Sequence, residues 1–363
     1  MGKLRFPKQI LRKRLETFQK KLASENIDAA MVRVQSSYTY FTGTRWLRPA
    51  LLIDVSEEPV LFVAKGEEDE LLSRTWITNY VSFTDGGDLM AKVSKIIRKR
   101  KYRKIGLEYG VERDAYILFY EMFKKLNPQV KVVDISDIIA DMRMIKDTYE
   151  IEATRRAGEV AKKVMEKVIN TLKLGMSETD IAAEAYYYAL KYGSEEPKIH
   201  VNIGPNPRVH AEPFRDIRVN ENSIVTLVLG IDYDFYYANM SRTIALKENG
   251  EAKRVMECML NVYDLARKLT RAGIKPIMVM KELDKVYSEF RCIEYRVLGY
   301  IHGVGLQVEE KPITTIVPKH RFVMLKEDMV VAFIHTPLVV KGVGQIKHED
   351  TFIILHDDLE KIT

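Results

Sequence analysis

The change of pattern near residue 140 constrains the fold of this chain more than any other feature. Before it, short strand-like runs such as AAMVRV, ALLIDV, PVLFVA, KIGLE and VKVVDIS alternate with helical patterns, which predicts an α/β domain. After it, an unbroken helical pattern runs from Asp147 to Gly175, and a strand-rich segment follows. We therefore predict two domains, an α/β domain over residues 1–140 and an α+β domain with an antiparallel sheet over residues 141–363.

Hydrophobic periodicity and capping residues place the individual elements. Apolar residues at helical spacing predict helices at 8–25, 88–100, 113–126, 250–271 and 276–290. Ser177 followed by Asp180 is typical of a capping box and predicts a helix start. The segment YFTG, residues 40–43, is predicted to form a turn between two strands.

Composition excludes several classes of protein. With 46% hydrophobic and 30% charged residues in 363 positions, the chain has the balance of a globular protein. It contains no apolar run of transmembrane length and no secretory h-region, and its two cysteines are too few for a disulfide framework. We expect a cytoplasmic protein that does not enter a membrane, and the abundance of Lys, Arg and Glu suggests a hot habitat.

The basic run KVSKIIRKRKYRK, Lys92 to Lys104, contains eight Lys or Arg residues and no acid, in a chain of net charge +6. Such a cluster can bind nucleic acid through its phosphates. Val93, Ile96 and Ile97 lie at helical spacing within the run, so it can equally form the solvated face of a packed helix. The second interpretation is favoured, because charge runs are usually solvent-exposed.

The segment VLGIDYDFYYANMSRT, residues 228–243, predicts a hairpin of two strands around a tight turn. Its Gly230 and Arg242-Thr243 resemble a motif of the creatinase/prolidase family, which includes Xaa-Pro dipeptidases and methionine aminopeptidases. Four further segments resemble the same family: YFTG, RMIKDTYEI, LKLGMSETDIA and IGPNPRVHAEP. The resemblance implies a Rossmann-like creatinase N-terminal domain, a pita-bread metallopeptidase-like domain that holds the site, and a homodimer.

The resemblance also implies five metal-ligand positions, and this chain keeps only part of them. The two aspartate positions of the hairpin are occupied by Val228 and Asn239, eleven residues apart. The histidine position is retained as His302 in HGVGL, and the last glutamate as Glu349 in HEDT. The other glutamate position is occupied by His335.

These replacements remove most of the negative charge that two divalent ions require. Val228 cannot bind a metal, and a neutral Asn239 is a weak ligand for a hard cation. A dinuclear manganese or cobalt centre is therefore not expected. His302, His335 and Glu349, with Asn239, could hold at most one zinc-like ion; alternatively, no metal binds and His335 hydrogen-bonds to Glu349 in the old cavity.

Two further residues follow from the resemblance. His210 in RVHAEP occupies the family's substrate-side histidine position, and Glu309 stands where the family has an auxiliary histidine. If the protein is active, these two are the candidate catalytic residues.

Three functions follow from these observations. The favoured one is a prolidase homologue that has lost the dinuclear site and ordinary prolidase activity, and that binds a peptide or protein. The second is a hydrolase with a rearranged mononuclear or metal-free site. The third is a nucleic-acid-binding relative that uses Lys92 to Lys104.

Overall fold

A computed structural model describes residues 4–110, 115–209, 211–247 and 250–363. The chain divides into two compact units, Met1–Arg143 and Met144–Thr363. Neither unit contains, within the described ranges, a helix that is long and apolar enough to cross a membrane.

The N-terminal unit is built on a six-stranded sheet with the strand order β4-β3-β2-β1-β5-β6. β1 pairs in parallel with β5, and β5 with β6, while β2 is antiparallel to both of its neighbours. The strands are β1 Ala29–Val32, β2 Leu51–Asp54, β3 Val60–Ala64, β4 Tyr80–Phe83, β5 Lys104–Leu107 and β6 Lys131–Asp134. The helices are α1 Lys8–Ser24, α2 Gln35–Thr42, α3 Glu68–Leu72, α4 Gly86–Arg100, α5 Ala115–Leu126 and α6 Ser136–Met144.

The predicted turn at YFTG is wrong. Residues 40–42 are the last part of the helix α2, which ends at Gly43 in a left-handed conformation with φ of 74°. Tyr38 and Phe41 are both buried, and most of the other α2 residues are buried too. A helix buried on nearly all sides shows no apolar stripe, and its pattern therefore does not distinguish it from a short buried connection.

The basic run occupies the second half of α4 and continues into β5. Val93 and Ile97 are buried in the core of the N-terminal unit, as the helical spacing predicted. Lys92 Nζ lies 2.7 Å from Asp88 Oδ2, Arg100 Nη1 lies 3.2 Å from Asp54 Oδ2, and Lys104 Nζ donates to the Glu25 carbonyl at 2.6 Å. Part of the run thus stabilises its own unit.

The C-terminal unit begins with two capped helices. The Asp147 carboxylate accepts hydrogen bonds from the first turn of α7 (Thr148–Thr171), and Glu150 bonds back to the Asp147 backbone. Ser177 and Asp180 form the predicted capping box of α8 (Glu178–Lys191). Such reciprocal bonds satisfy N–H groups that a helix start leaves unpaired.

The sheets of the rest of the unit are antiparallel, as predicted, and two further α-helices accompany them in the described part of the chain. A three-stranded sheet has the order β7-β8-β9, and a five-stranded sheet has the order β11-β10-β12-β15-β16. The strands are β7 Lys198–Ile203, β8 Ile224–Tyr233, β9 Tyr236–Ala245, β10 Ile301–Gly303, β11 Glu310–Ile313, β12 Val330–Phe333, β13 Leu338–Val340, β14 Gly344–Ile346, β15 Asp350–Ile354 and β16 Leu359–Lys361. Helices α9 Gly250–Leu269 and α10 Pro276–Glu289 lie between the two sheets in the sequence.

The predicted hairpin is formed by β8 and β9. Its turn residues Asp234 and Phe235 both have positive φ, 47° and 75°, which is the backbone twist that a two-residue hairpin turn requires. In the resulting register, Val228 lies opposite Ser241, and Gly230 lies opposite Asn239. Val228 and Asn239 are thereby diagonal neighbours on the hairpin.

Candidate functional site

One cleft of the C-terminal unit, with a volume of about 360 Å³, brings together the predicted site residues that the structure describes. Val228 and Asn239 of the hairpin line it, together with residues from three later segments: His302, Glu309, His335, Lys347 and Glu349. His210 lies outside the described residues.

Asn239 is held in a defined orientation at the wall of the cleft. Its backbone N–H donates to Thr351 Oγ1 at 2.7 Å, and its side-chain Nδ2 donates to the Val308 carbonyl at 3.0 Å. A carbonyl only accepts, so the amide nitrogen faces Val308. The amide oxygen Oδ1 is buried and has no hydrogen-bond partner within the described part of the chain.

His302 on β10 is oriented by its own strand. Its Nδ1 lies 2.8 Å from the Gly303 carbonyl oxygen, which can only accept, so Nδ1 carries the proton. The other nitrogen, Nε2, lies 3.4 Å from Asn239 Nδ2 and 3.6 Å from Glu349 Oε1.

His335 follows directly on Ile334, a residue with an uncommon positive φ of 53°. Such a conformation in a β-branched residue is strained and often marks a functional position. The His335 ring packs edge-on against His302 with a centroid separation of 4.5 Å. Burial lowers the pKa of His335 well below its usual value, and the neighbouring His302 lowers it further, so the ring is neutral.

Neither ring nitrogen of His335 has a hydrogen-bond partner among the described residues. The alternative in which His335 hydrogen-bonds to Glu349 is therefore wrong. The Glu349 carboxylate instead faces His302 with Oε1 and a lysine with Oε2.

The lysine at Glu349 Oε2 is Lys347, which was not among the predicted site residues. Its Nζ lies 2.8 Å from Glu349 Oε2, and both side chains are almost fully buried. Burial by itself would raise the pKa of the Glu349 carboxyl, but the Lys347 ammonium and the His302 ring outweigh it and lower the pKa to about 2. The sequence signal for this contact was the spacing of two residues between Lys347 and Glu349, because the side chains of residues i and i+2 in an extended segment point to the same face.

The residue after Glu349 anchors this segment to the hairpin. Asp350 is buried and accepts from Arg242 Nη2 at 2.8 Å and from Lys361 Nζ at 2.7 Å. Burial would raise its pKa, but these partners and His348 lower it well below the usual range. Arg242 thus supports the hairpin by ion pairing. Ser241 and Glu349 also exchange backbone hydrogen bonds at 3.0 and 3.2 Å, which fixes Glu349 beside the hairpin.

Glu309 stands at the rim, with a half-exposed side chain. Its Oε1 lies 3.8 Å from His302 Nε2 and 3.9 Å from His335 Nε2. Both distances exceed that of a hydrogen bond. The carboxylate at the auxiliary position therefore faces both imidazoles across the cleft.

These residues do not fit a dinuclear metal centre. Val228 offers no donor atom, and the orphaned Oδ1 of Asn239 is a neutral oxygen. Glu349 is already neutralised by a buried ammonium at 2.8 Å, which would repel a cation. Among the residues that the structure describes, no group of three or more His, Cys, Asp or Glu side chains is arranged to hold a metal ion.

Comparison with known proteins identifies the family. The family model described as metallopeptidase family M24 matches residues 152–356, more than half of the chain, and the creatinase/prolidase N-terminal domain matches residues 14–145. The chain belongs to metallopeptidase family M24. This confirms the resemblance and the predicted two-domain architecture, and it places the cleft in the part of the chain that matches the peptidase model.

This M24 protein is similar to peptidases along nearly its whole length. It is 26% identical to an Xaa-Pro dipeptidase of Pyrococcus furiosus over 97% of this chain and 98% of the relative. It is also 26% identical to an uncharacterized peptidase of Methanocaldococcus jannaschii over 98% and 96%. The crystal structure of the prolidase from Pyrococcus horikoshii superposes with a TM-score of 0.86 at 24% identity, covering 97% of this chain and 98% of that one.

Proposed function

We propose that this M24 protein lacks two-metal hydrolysis of Xaa-Pro dipeptides and acts by binding a peptide or another small ligand in the cleft. The observation that carries the proposal is the Lys347 ammonium, 2.8 Å from Glu349. A buried cation of the chain itself thus neutralises the carboxylate that would serve a metal ion in a family peptidase.

The charges in the cleft support this proposal. Two divalent ions need several carboxylates to offset their charge, and they act by supplying a metal-bound hydroxide and by stabilising the oxyanion that develops. Glu349 is the one carboxylate at the five ligand positions, and Lys347 already offsets it. A second cation would therefore lie in an uncompensated field.

A single ion stays within the proposal. Its donors would be His302, His335 and Glu349, a set that suits zinc better than manganese. These described side chains are not arranged to hold an ion in the present structure, so binding would require them to move. We therefore propose a capacity of at most one divalent ion per chain, with zinc preferred.

Metal analysis and a peptidase assay test this proposal together. After incubation with manganese, cobalt or zinc and removal of excess ion, the protein should hold at most one ion per chain and should release no proline from Xaa-Pro dipeptides. The triple variant V228D/N239D/H335E should bind more ions, and adding K347M should raise the capacity further, because it frees Glu349. In the unmodified background, H335A should abolish binding while H356A, a change at an exposed histidine, should not.

Two results would contradict the proposal. One is the retention of two tightly held ions by the unmodified chain. The other is metal-dependent proline release at the rate of an active prolidase.

A second candidate function is a hydrolase with a rearranged site. The observation that favours it is Glu309, whose Oε1 lies within 4 Å of both His302 and His335. A carboxylate beside two imidazoles can act as a general base on a bound water. Loss of hydrolysis in E309Q, in an assay against peptide and amide substrates with a chelator present, would distinguish this function from binding alone.

Homodimer formation and a cytoplasmic location stay predictions. The location is supported by Cys258 and Cys292, which are free and buried, as is common in reducing compartments. Sedimentation of the purified protein would test the dimer.

A further inference from the structure

The cleft contains several buried polar atoms that lack hydrogen-bond partners among the described residues. They include Asn239 Oδ1 and both ring nitrogens of His335. The two residues are only 4% and 8% exposed. Because a buried polar group without a partner is costly, such atoms in the lining of one cleft indicate a ligand that supplies the missing bonds.

The unfilled positions accept more hydrogen bonds than they donate. Asn239 Oδ1 can only accept, and a neutral His335 ring offers one lone pair and one N–H. The Glu309 carboxylate, at 3.8 and 3.9 Å from the two imidazoles, also only accepts. The ligand group that matches this inventory carries several N–H donors.

The charged side chains of the cleft also favour a ligand that donates N–H groups and carries a positive charge. Lys347 and Glu349 neutralise each other at 2.8 Å, and Lys198 at the wall lies 3.1 Å from Glu196. Within the described part of the chain, Glu309 has no Lys or Arg within ion-pairing distance. Glu309 is thus left at the rim without a Lys or Arg partner, which favours a cationic group beside it.

The rest of the lining is largely apolar, and it limits the size of the ligand. Its side chains include Val228, Val297, Val308, Ile316 and Pro337. A volume of about 360 Å³ suits a small molecule or the end of a peptide rather than a folded partner.

We propose that the cleft binds an ammonium group on a small apolar body, with Glu309 as its counter-charge and with Asn239 and His335 as hydrogen-bond partners. This rests on the proposed binding function and names its ligand class. No metal ion takes part, because the neutral Asn239 oxygen and the rim carboxylate bind N–H groups directly.

Three probes with one ring body and different heads test the proposal: cyclohexylmethylamine, cyclohexylmethanol and cyclohexanecarboxylate. Calorimetric titration of the full chain, stripped of metal and kept in EDTA, should show the amine binding about tenfold or more tightly than the alcohol, because charge-assisted bonds are the strong ones. The carboxylate should bind most weakly, because Glu309 repels it. Equal affinities, or tightest binding of the carboxylate, would overturn the assignment.

A matched pair of variants locates the site. E309Q keeps the shape of the side chain and removes its charge, so it should reduce the preference for the amine over the alcohol to a few-fold. E327Q, at an exposed glutamate close to His356, should leave that preference unchanged. An unchanged preference in E309Q would refute the role of Glu309, even if metal analysis showed that the dinuclear centre is absent; retention of two ions would instead refute the proposed function.

Discussion

Replacing Lys347 with methionine removes the ammonium from a buried carboxylate while keeping most of the apolar stem. Glu349 is 1% exposed and has Lys347 as its cationic partner at 2.8 Å. Its pKa falls from 4.5 to about 2 in the folded protein, which corresponds to about 3 kcal/mol of stability at neutral pH. Breaking a buried ion pair by removing one partner costs about 3–5 kcal/mol. We therefore expect K347M to lose about 3–5 kcal/mol of unfolding free energy at pH 7.

The pH dependence gives a second test of the same pair. A carboxyl whose folded pKa is lowered contributes stability above its unfolded pKa and loses it as the pH falls through its folded pKa. Here that window runs from about 4.5 down to about 2. In K347M the ammonium that lowers the pKa of the buried Glu349 most strongly is gone, and only the His302 ring still opposes the effect of burial, so this pKa rises. The stability gap between the two proteins should therefore shrink as the pH falls from neutrality into that window.

Urea unfolding followed by two probes makes the assay specific. Both tryptophans of the chain, Trp46 and Trp76, belong to the N-terminal unit, whereas far-UV circular dichroism follows the helices of both units. K347M should shift the dichroism transition of the C-terminal unit. K198M is the control, because Lys198 lines the same cleft but its side chain is 46% exposed, and it should cost less than about 1 kcal/mol. The reasoning fails if K347M costs no more than K198M at pH 7, or if the gap widens in acid.

Two further predictions concern a helix cap and the basic run. D147A should cost about 1 kcal/mol of unfolding free energy, because the Asp147 carboxylate accepts hydrogen bonds from the backbone N–H groups of Tyr149 and Glu150 at 3.0 and 3.1 Å. Denaturant unfolding measures this cost. The control is D264A, at an exposed position within α9, which should cost less. If the basic run binds nucleic acid, the affinity should fall steeply with rising salt concentration in a mobility-shift titration. Replacing four of its exposed basic residues with neutral ones should make the affinity less dependent on salt; these residues are Lys95, Arg98, Lys99 and Lys101. No shift at low salt would end the hypothesis.

Residue identity alone determined which ligands a metal would lack. Valine has no donor atom in any fold, so Val228 at an aspartate position excludes a ligand before any coordinates are known. The helix start at Asp147 followed from the helical pattern, and the capped start at Ser177 from its capping box, because such a box depends on residues three apart in the sequence. Local patterns of this kind also gave the two domains and the antiparallel character of the second.

Other outcomes needed the tertiary structure. The helix α2 has no amphipathic stripe because its neighbours bury it on nearly every side, so its pattern suggested a turn. The approach of Glu309 to His302 and His335 joins segments that meet only when the sheet forms. The ring nitrogens of His335 lack hydrogen-bond partners because the fold places no described donor or acceptor within reach of them. The spacing of two residues places Lys347 and Glu349 on one face of an extended segment, but only the fold buries the pair and thereby lowers the pKa of the carboxyl, since burial and distance depend on the folded cleft rather than on residue type.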